Sequence, residues 1–232
     1  MLGPVDWVIW FLATFFEASV VVCSIQKKAF RRYFFLNLYM LFSVLVSVGQ
    51  LRLLMHYGRS SLEYRYFYFY SEALLVICLY FALISLYSRV FQELQLERYV
   101  RLGAILLLAG TAWFTYAVVN QSSSRMLTHF VFELSQNLYF VGLVLTYALW
   151  GVILKLRETR ALVVQLVLSL GVYFSAYAAS YAISNLRPSL YSYVYLLLPL
   201  MGCLLPLAWA YAIWRVPEEA RIEPARLAVA HR

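Results

Sequence analysis

Glu72 interrupts an apolar run. It follows Tyr64-Arg65-Tyr66-Phe67-Tyr68-Phe69-Tyr70-Ser71 and precedes an uncharged stretch from Ala73 to Tyr87. An ionised carboxylate in hydrocarbon costs at least about 2.5 kcal/mol on insertion scales, so such a group is protonated, paired with a cation, or wetted by a cavity. Glu17 and Glu133 pose the same question in two other apolar runs. Intramembrane carboxyl groups of this kind can relay protons, bind cations, or, beside a cation such as Arg52, help to frame a pocket for a small ligand.

The elements that position these residues are helices. Of the 232 residues 64% are hydrophobic and only 13% charged, and the mean hydropathy is +0.74. Those values belong to an integral membrane protein, with no polar block long enough for a separate soluble domain. Seven apolar runs are each near the roughly 20 residues that a membrane helix requires: Val5 to Ile25, Tyr33 to Met55, Tyr66 to Tyr87, Val100 to Val119, Met126 to Leu154, Ala161 to Ile183, and Leu190 to Trp214. Uninterrupted runs satisfy their backbone in lipid only as helices, so a closed barrel is excluded. The expected fold is an all-α, polytopic seven-helix bundle over residues 1–215 with a short tail over 216–232.

The net charge of +8 does not indicate nucleic acid, because the basic residues sit in short clusters between apolar runs. Of the 19 Lys and Arg residues, only Arg52, Arg59, Arg65, Arg125 and Arg187 fall at one end of the expected bundle. The positive-inside rule therefore predicts an outside N-terminus and a cytoplasmic tail. The first residues lack the basic start of a cleavable signal, so the first helix is expected to remain. Cys23, Cys78 and Cys203 lie in different runs and read as packed thiols.

At about 1.5 Å of rise per residue, Glu72 lies about 10 Å below the outer surface, level with Glu133, Gln50 and Arg52 and just beneath His56. His129 precedes Glu133 by one helical turn. Tyr68, Tyr70 and Tyr177 have hydroxyls that can face such a layer, and Ser169, Tyr173, Tyr177 and Tyr181 form a polar-tipped stripe on the sixth helix. Gln50, Arg52, His56, Tyr68, Tyr70, Glu72, His129, Glu133 and Tyr177 are thus the expected ligand-binding set, with Arg52 as the counter-ion of Glu72. Glu17 lies deeper, has no evident partner and is a proton-relay candidate. Two readings of the layer stay open: a hydrogen-bonded network that specifies helix packing, or an outward-facing pocket for a small molecule or ion. Pro199 and Pro206 should kink the seventh helix, as a hinge or as a static bend.

No catalytic residue, metal site or cofactor is expected. A divalent metal or a haem at His56 and His129 is disfavoured, because the two histidines lack a diagnostic spacing and Arg52 would repel a cation. The seventh helix contains no lysine for a retinal Schiff base, and the histidines are too few for a seven-helix zinc hydrolase.

The size and topology are similar to the seven-helix sensor modules of bacterial signalling enzymes. The stretch Tyr66-Phe67-Tyr68-Phe69-Tyr70-Ser71-Glu72-Ala73 resembles the aromatic-rich third helix of an uncharacterised group of bacterial seven-helix membrane proteins, a resemblance that implies architecture and no activity. The expectation is a multi-pass protein of a bacterial cytoplasmic membrane, receptor-like or scaffolding and more readily non-enzymatic. Its partners would be the bilayer, a ligand from the outer side, and a second copy or another membrane protein. The alternatives are an ion channel or proton-coupled carrier using the intramembrane glutamates, and a metal- or haem-dependent enzyme.

Overall fold

The computed structural model describes residues 4–58, 60–92, 97–119, 126–156, 160–186, 191–217 and 220–221, and every statement of absence below concerns these described residues. Seven helices follow one another: α1 (Pro4–Gln26), α2 (Phe34–Tyr57), α3 (Leu62–Val90), α4 (Glu97–Val119), α5 (Met126–Leu156), α6 (Ala161–Leu186) and α7 (Tyr191–Arg215). All seven are long and apolar enough to cross a membrane, which makes this a multi-pass membrane protein by length and composition.

Most bounds match the apolar runs closely, but α3 starts a full turn earlier than Tyr66. Gly58 adopts φ +78 and turns the chain, after which Ser61 caps the helix by accepting a hydrogen bond from the Tyr64 amide at 3.1 Å. Glu63 in the first turn complements the positive end of the helix. Capping, not hydropathy, sets this boundary.

Neighbour contacts close six helices into a ring, in the order α1, α2, α3, α5, α6, α7 and back to α1. The fourth helix packs outside that ring against α3 and α5. Two polar contacts hold it there: Tyr80 donates its hydroxyl proton to the Ala104 carbonyl at 2.8 Å, and Asn137 Nδ2 donates to Thr115 Oγ1 at 3.0 Å. Burial follows the same plan. Leu79, Tyr80, Leu83 and Leu86 of α3 join Leu138 and Leu149 of α5, Leu166, Leu170 and Phe174 of α6, and Trp209 of α7 as fully buried side chains. On α4 Leu102, Ile105, Leu106, Trp113 and Phe114 are exposed, as expected of a lipid-facing helix.

Beyond α7 the chain returns to the α5–α6 connection, where Arg221 forms an isolated antiparallel bridge with Arg160 and the Ala161 amide donates to the Ala220 carbonyl at 3.0 Å. Residues 93–96 and the tail from residue 222 onward lie outside the described residues.

Candidate functional site

Among the six ring helices lies a partly open cavity of about 100 Å³. Each ring helix contributes to its wall: Glu17 from α1, Tyr39 and Ser43 from α2, Glu72 from α3, Tyr139 from α5, Tyr173 and Tyr177 from α6, and Gly202 from α7. Leu75, Val76 and Leu79 of α3 complete it. The outlying α4 contributes no lining residue, in keeping with its place outside the ring.

Two carboxyl groups share this space, each met by hydroxyl groups, with Ser47 as well as Ser43 beside Glu17. Tyr139 donates to Glu72 Oε1 at 2.8 Å, and Ser43 donates to Glu17 Oε1 at 2.6 Å. Glu17 is only 8% exposed, and its second oxygen, Oε2, is buried with no hydrogen-bond partner. Such an orphaned oxygen is costly unless something occupies the space beside it. No Lys, Arg or His lines the cavity, so charge balance there must come from a proton or a bound cation.

Tyrosines form the opposite wall. The Tyr139 and Tyr177 rings stack with centroids 4.6 Å apart and planes 19° from parallel, and Tyr177 lies 4.5 Å from Tyr173. Phe174 meets Tyr139 edge-on at 6.2 Å. This stack joins α5 to α6 and fixes the hydroxyl that grips Glu72. Tyr173 and Tyr177 of this wall belong to the stripe that also holds Tyr181, whose ring lies 5.7 Å from Tyr139, and a spacing of one helical turn aligns the three on one face of α6.

The outer-leaflet layer expected from depth alone does not assemble. Arg52 is exposed and does not pair with Glu72, whose partner is Tyr139. The reason is helical phase. Arg52 lies nine residues beyond Ser43, which at about 100° per residue places it on the opposite side of α2 from the cavity. His56 is also exposed, stacks edge-on against Tyr57 at 4.5 Å, and shares with Arg52 a depression formed by α2 residues alone. Gln50 does lie on the face of α2 that carries Tyr39 and Ser43, but two turns away and only partly buried. Tyr68 and Tyr70 are 43% and 46% exposed, and neither lines the cavity. Glu133 is partly buried and sits six residues before Tyr139, on another face of α5. The side chain of His129 lies outside the described residues. Of the expected set, therefore, Glu72 and Tyr177 come together, and Glu17 joins them.

Tyr39, Ser43, Tyr139, Tyr173 and Gly202 complete a site that depth reading from the outer end missed. One signal was available: Glu17 and Ser43 lie at matching depth, midway along two consecutive antiparallel helices. Tyr139 carries no comparable mark in the sequence. No group of three or more His, Cys, Asp or Glu side chains is placed to hold a metal ion among the described residues. No protein-family model, curated protein or solved structure matches this chain.

Proposed function

We propose that the protein is a proton-coupled carrier or proton pathway of a bacterial cytoplasmic membrane, with Glu17 and Glu72 as its proton- or cation-exchanging pair. The observation that carries this reading is the convergence of two carboxyl groups on one cavity that no basic side chain lines. A purely structural network would pair its carboxylates with cations or satisfy both oxygens, whereas Glu17 Oε2 has neither. Roughly three waters, at about 30 Å³ each, or one small cation suit the volume. The excess of basic residues at the end of the bundle that holds the α1–α2 turn supports a cytoplasmic location for that end.

The cavity is adjacent to the element best able to move. Gly202 lies between Pro199 and Pro206 of α7, two positions where the helix lacks an amide donor and bends most readily. A bend there would open the midplane site toward one side or the other, as alternating access requires.

Proteoliposomes carrying an internal pH dye test this directly. Under an imposed membrane potential, and with Na+, K+ or ammonium supplied in turn as coupling cation, the wild type should move protons faster than protein-free vesicles. Gly202→Leu should return the rate to that of empty vesicles. Gly202 lines the cavity and a Cβ there meets nothing within 4 Å, so the first atom of the new side chain is accommodated, and leucine favours a helix over glycine by nearly 1 kcal/mol. Wild-type vesicles indistinguishable from empty ones under all three cations would overturn the proposal.

A further inference from the structure

At the basic end of the bundle a groove of about 710 Å³ runs between the start of α2, the end of α3 and the start of α4. Four arginines meet in it: Arg31 and Arg32 from the α1–α2 turn, Arg89 from the last turn of α3, and Arg101 from α4. Its other wall is apolar. Phe35 stacks on Phe81 at 5.8 Å, while Phe34 and Ile105 are 46% and 63% exposed.

We infer that this groove is a binding site for one anionic phospholipid of the adjacent leaflet, its phosphate held by the arginines and its acyl chains lying along Phe34, Phe35 and Ile105. A general bias of basic residues toward one side of the membrane does not require them to converge. Here four guanidinium groups share a single concavity that Ser85 and Ser88 also line, together with apolar side chains. That combination matches a phosphodiester attached to hydrocarbon, and guanidinium is the side chain best shaped for phosphate oxygens. The cluster is held in shape. The Arg89 guanidinium lies 4.2 Å from the centre of the buried Tyr33 ring, a favourable cation–π distance, and Arg160 donates from Nη2 to the Arg89 carbonyl at 2.9 Å. A lipid seated here would add a bridge between α4 and the start of α2, beside the contacts α4 already makes with α3 and α5.

The test is native mass spectrometry and thermal unfolding of delipidated protein in a neutral detergent, titrated with phosphatidylglycerol, phosphatidylcholine or inorganic phosphate alone. The wild type should hold phosphatidylglycerol about tenfold more tightly than phosphatidylcholine and unfold at a higher temperature with it. Arg31→Gln/Arg101→Gln should lose that preference, whereas Lys155→Gln/Arg215→Gln, which removes the same charge from exposed helix ends outside the groove, should keep it. Should the groove double variant fail to fold, Arg101→Gln alone, at an exposed side chain, reads the same loss in smaller measure. Equal binding of the two lipids, equal loss in both double variants, or equal stabilisation by inorganic phosphate would overturn the inference.

Discussion

Glu72→Gln should lower proton flux by about tenfold or more, because an amide of the same shape cannot release or accept the proton that a carboxyl group carries through the membrane interior. The fold should survive. Glutamine retains a carbonyl oxygen at the position where Tyr139 donates its 2.8 Å hydrogen bond, so the contact that ties α3 to α5 need not break. Glu17→Gln keeps an acceptor for Ser43 in the same way and should lower flux by a similar factor. The two groups line one cavity, so the double variant should be little worse than either single one, as expected of groups that act as a unit. Tyr139→Phe probes the same site from the other side. It leaves Glu72 without its donor and should slow flux less than removing the carboxyl itself, since the proton carrier remains. Flux in proteoliposomes, normalised to reconstituted protein and accompanied by unfolding temperatures in detergent, checks all four variants. Unchanged flux in both glutamine variants would remove the carboxyl pair from any transport role.

The second large effect is on stability. Gly142→Ala should destabilise the bundle by about 1–3 kcal/mol, the usual range for overpacking a filled core. An added Cβ there would collide with Phe174 Cε1 and lie 2.6 Å from Cζ, closer than carbon atoms approach. Phe174 is 1% exposed and packs against Tyr139 and Tyr173, so the ring can move only by pushing the tyrosines that line the cavity. Glycine at this position thus allows α5 and α6 to approach closely enough to build the tyrosine wall. Gly151→Ala is the matched control on the same helix, because its added Cβ meets nothing within 4 Å. It should be neutral or stabilising by up to about 1 kcal/mol, the difference in helix propensity. Thermal unfolding of the two purified variants decides between these outcomes, and equal midpoints would show that α5 and α6 have slack that the ring contacts do not suggest.

Hydropathy carried the number of helices and most of their bounds, because a backbone in lipid must satisfy itself and long apolar runs leave it no other solution. It also drew attention to Glu17 and Glu72, since charge inside an apolar run is conspicuous. What it could not carry is azimuth. In a soluble helix the polar face marks the outside, but here lipid and core are equally apolar, and hydrophobic residues are spread almost evenly around α2 and α7. Arg52 therefore matched Glu72 in depth while pointing away from it, and Tyr139 went unnoticed among the other aromatics of α5. The ring order α1, α2, α3, α5, α6, α7 is likewise set by side-chain fit, for which Gly142 and Phe174 are an example. The early start of α3 was local information, written in Gly58 and Ser61, and capping logic could have found it.

Whether Glu17 and Glu72 form one exchanging pair is best tested by infrared difference spectroscopy of the protein in lipid as pH is swept and as Na+ replaces a large impermeant cation. If the cavity is a shared proton or cation site, two carboxyl signals change together, Glu17→Gln removes one and Glu72→Gln the other, and each single substitution shifts the signal that remains. Spectra in which no carboxyl signal responds to pH or cation, or in which the two signals ignore each other's substitution, would contradict a shared site.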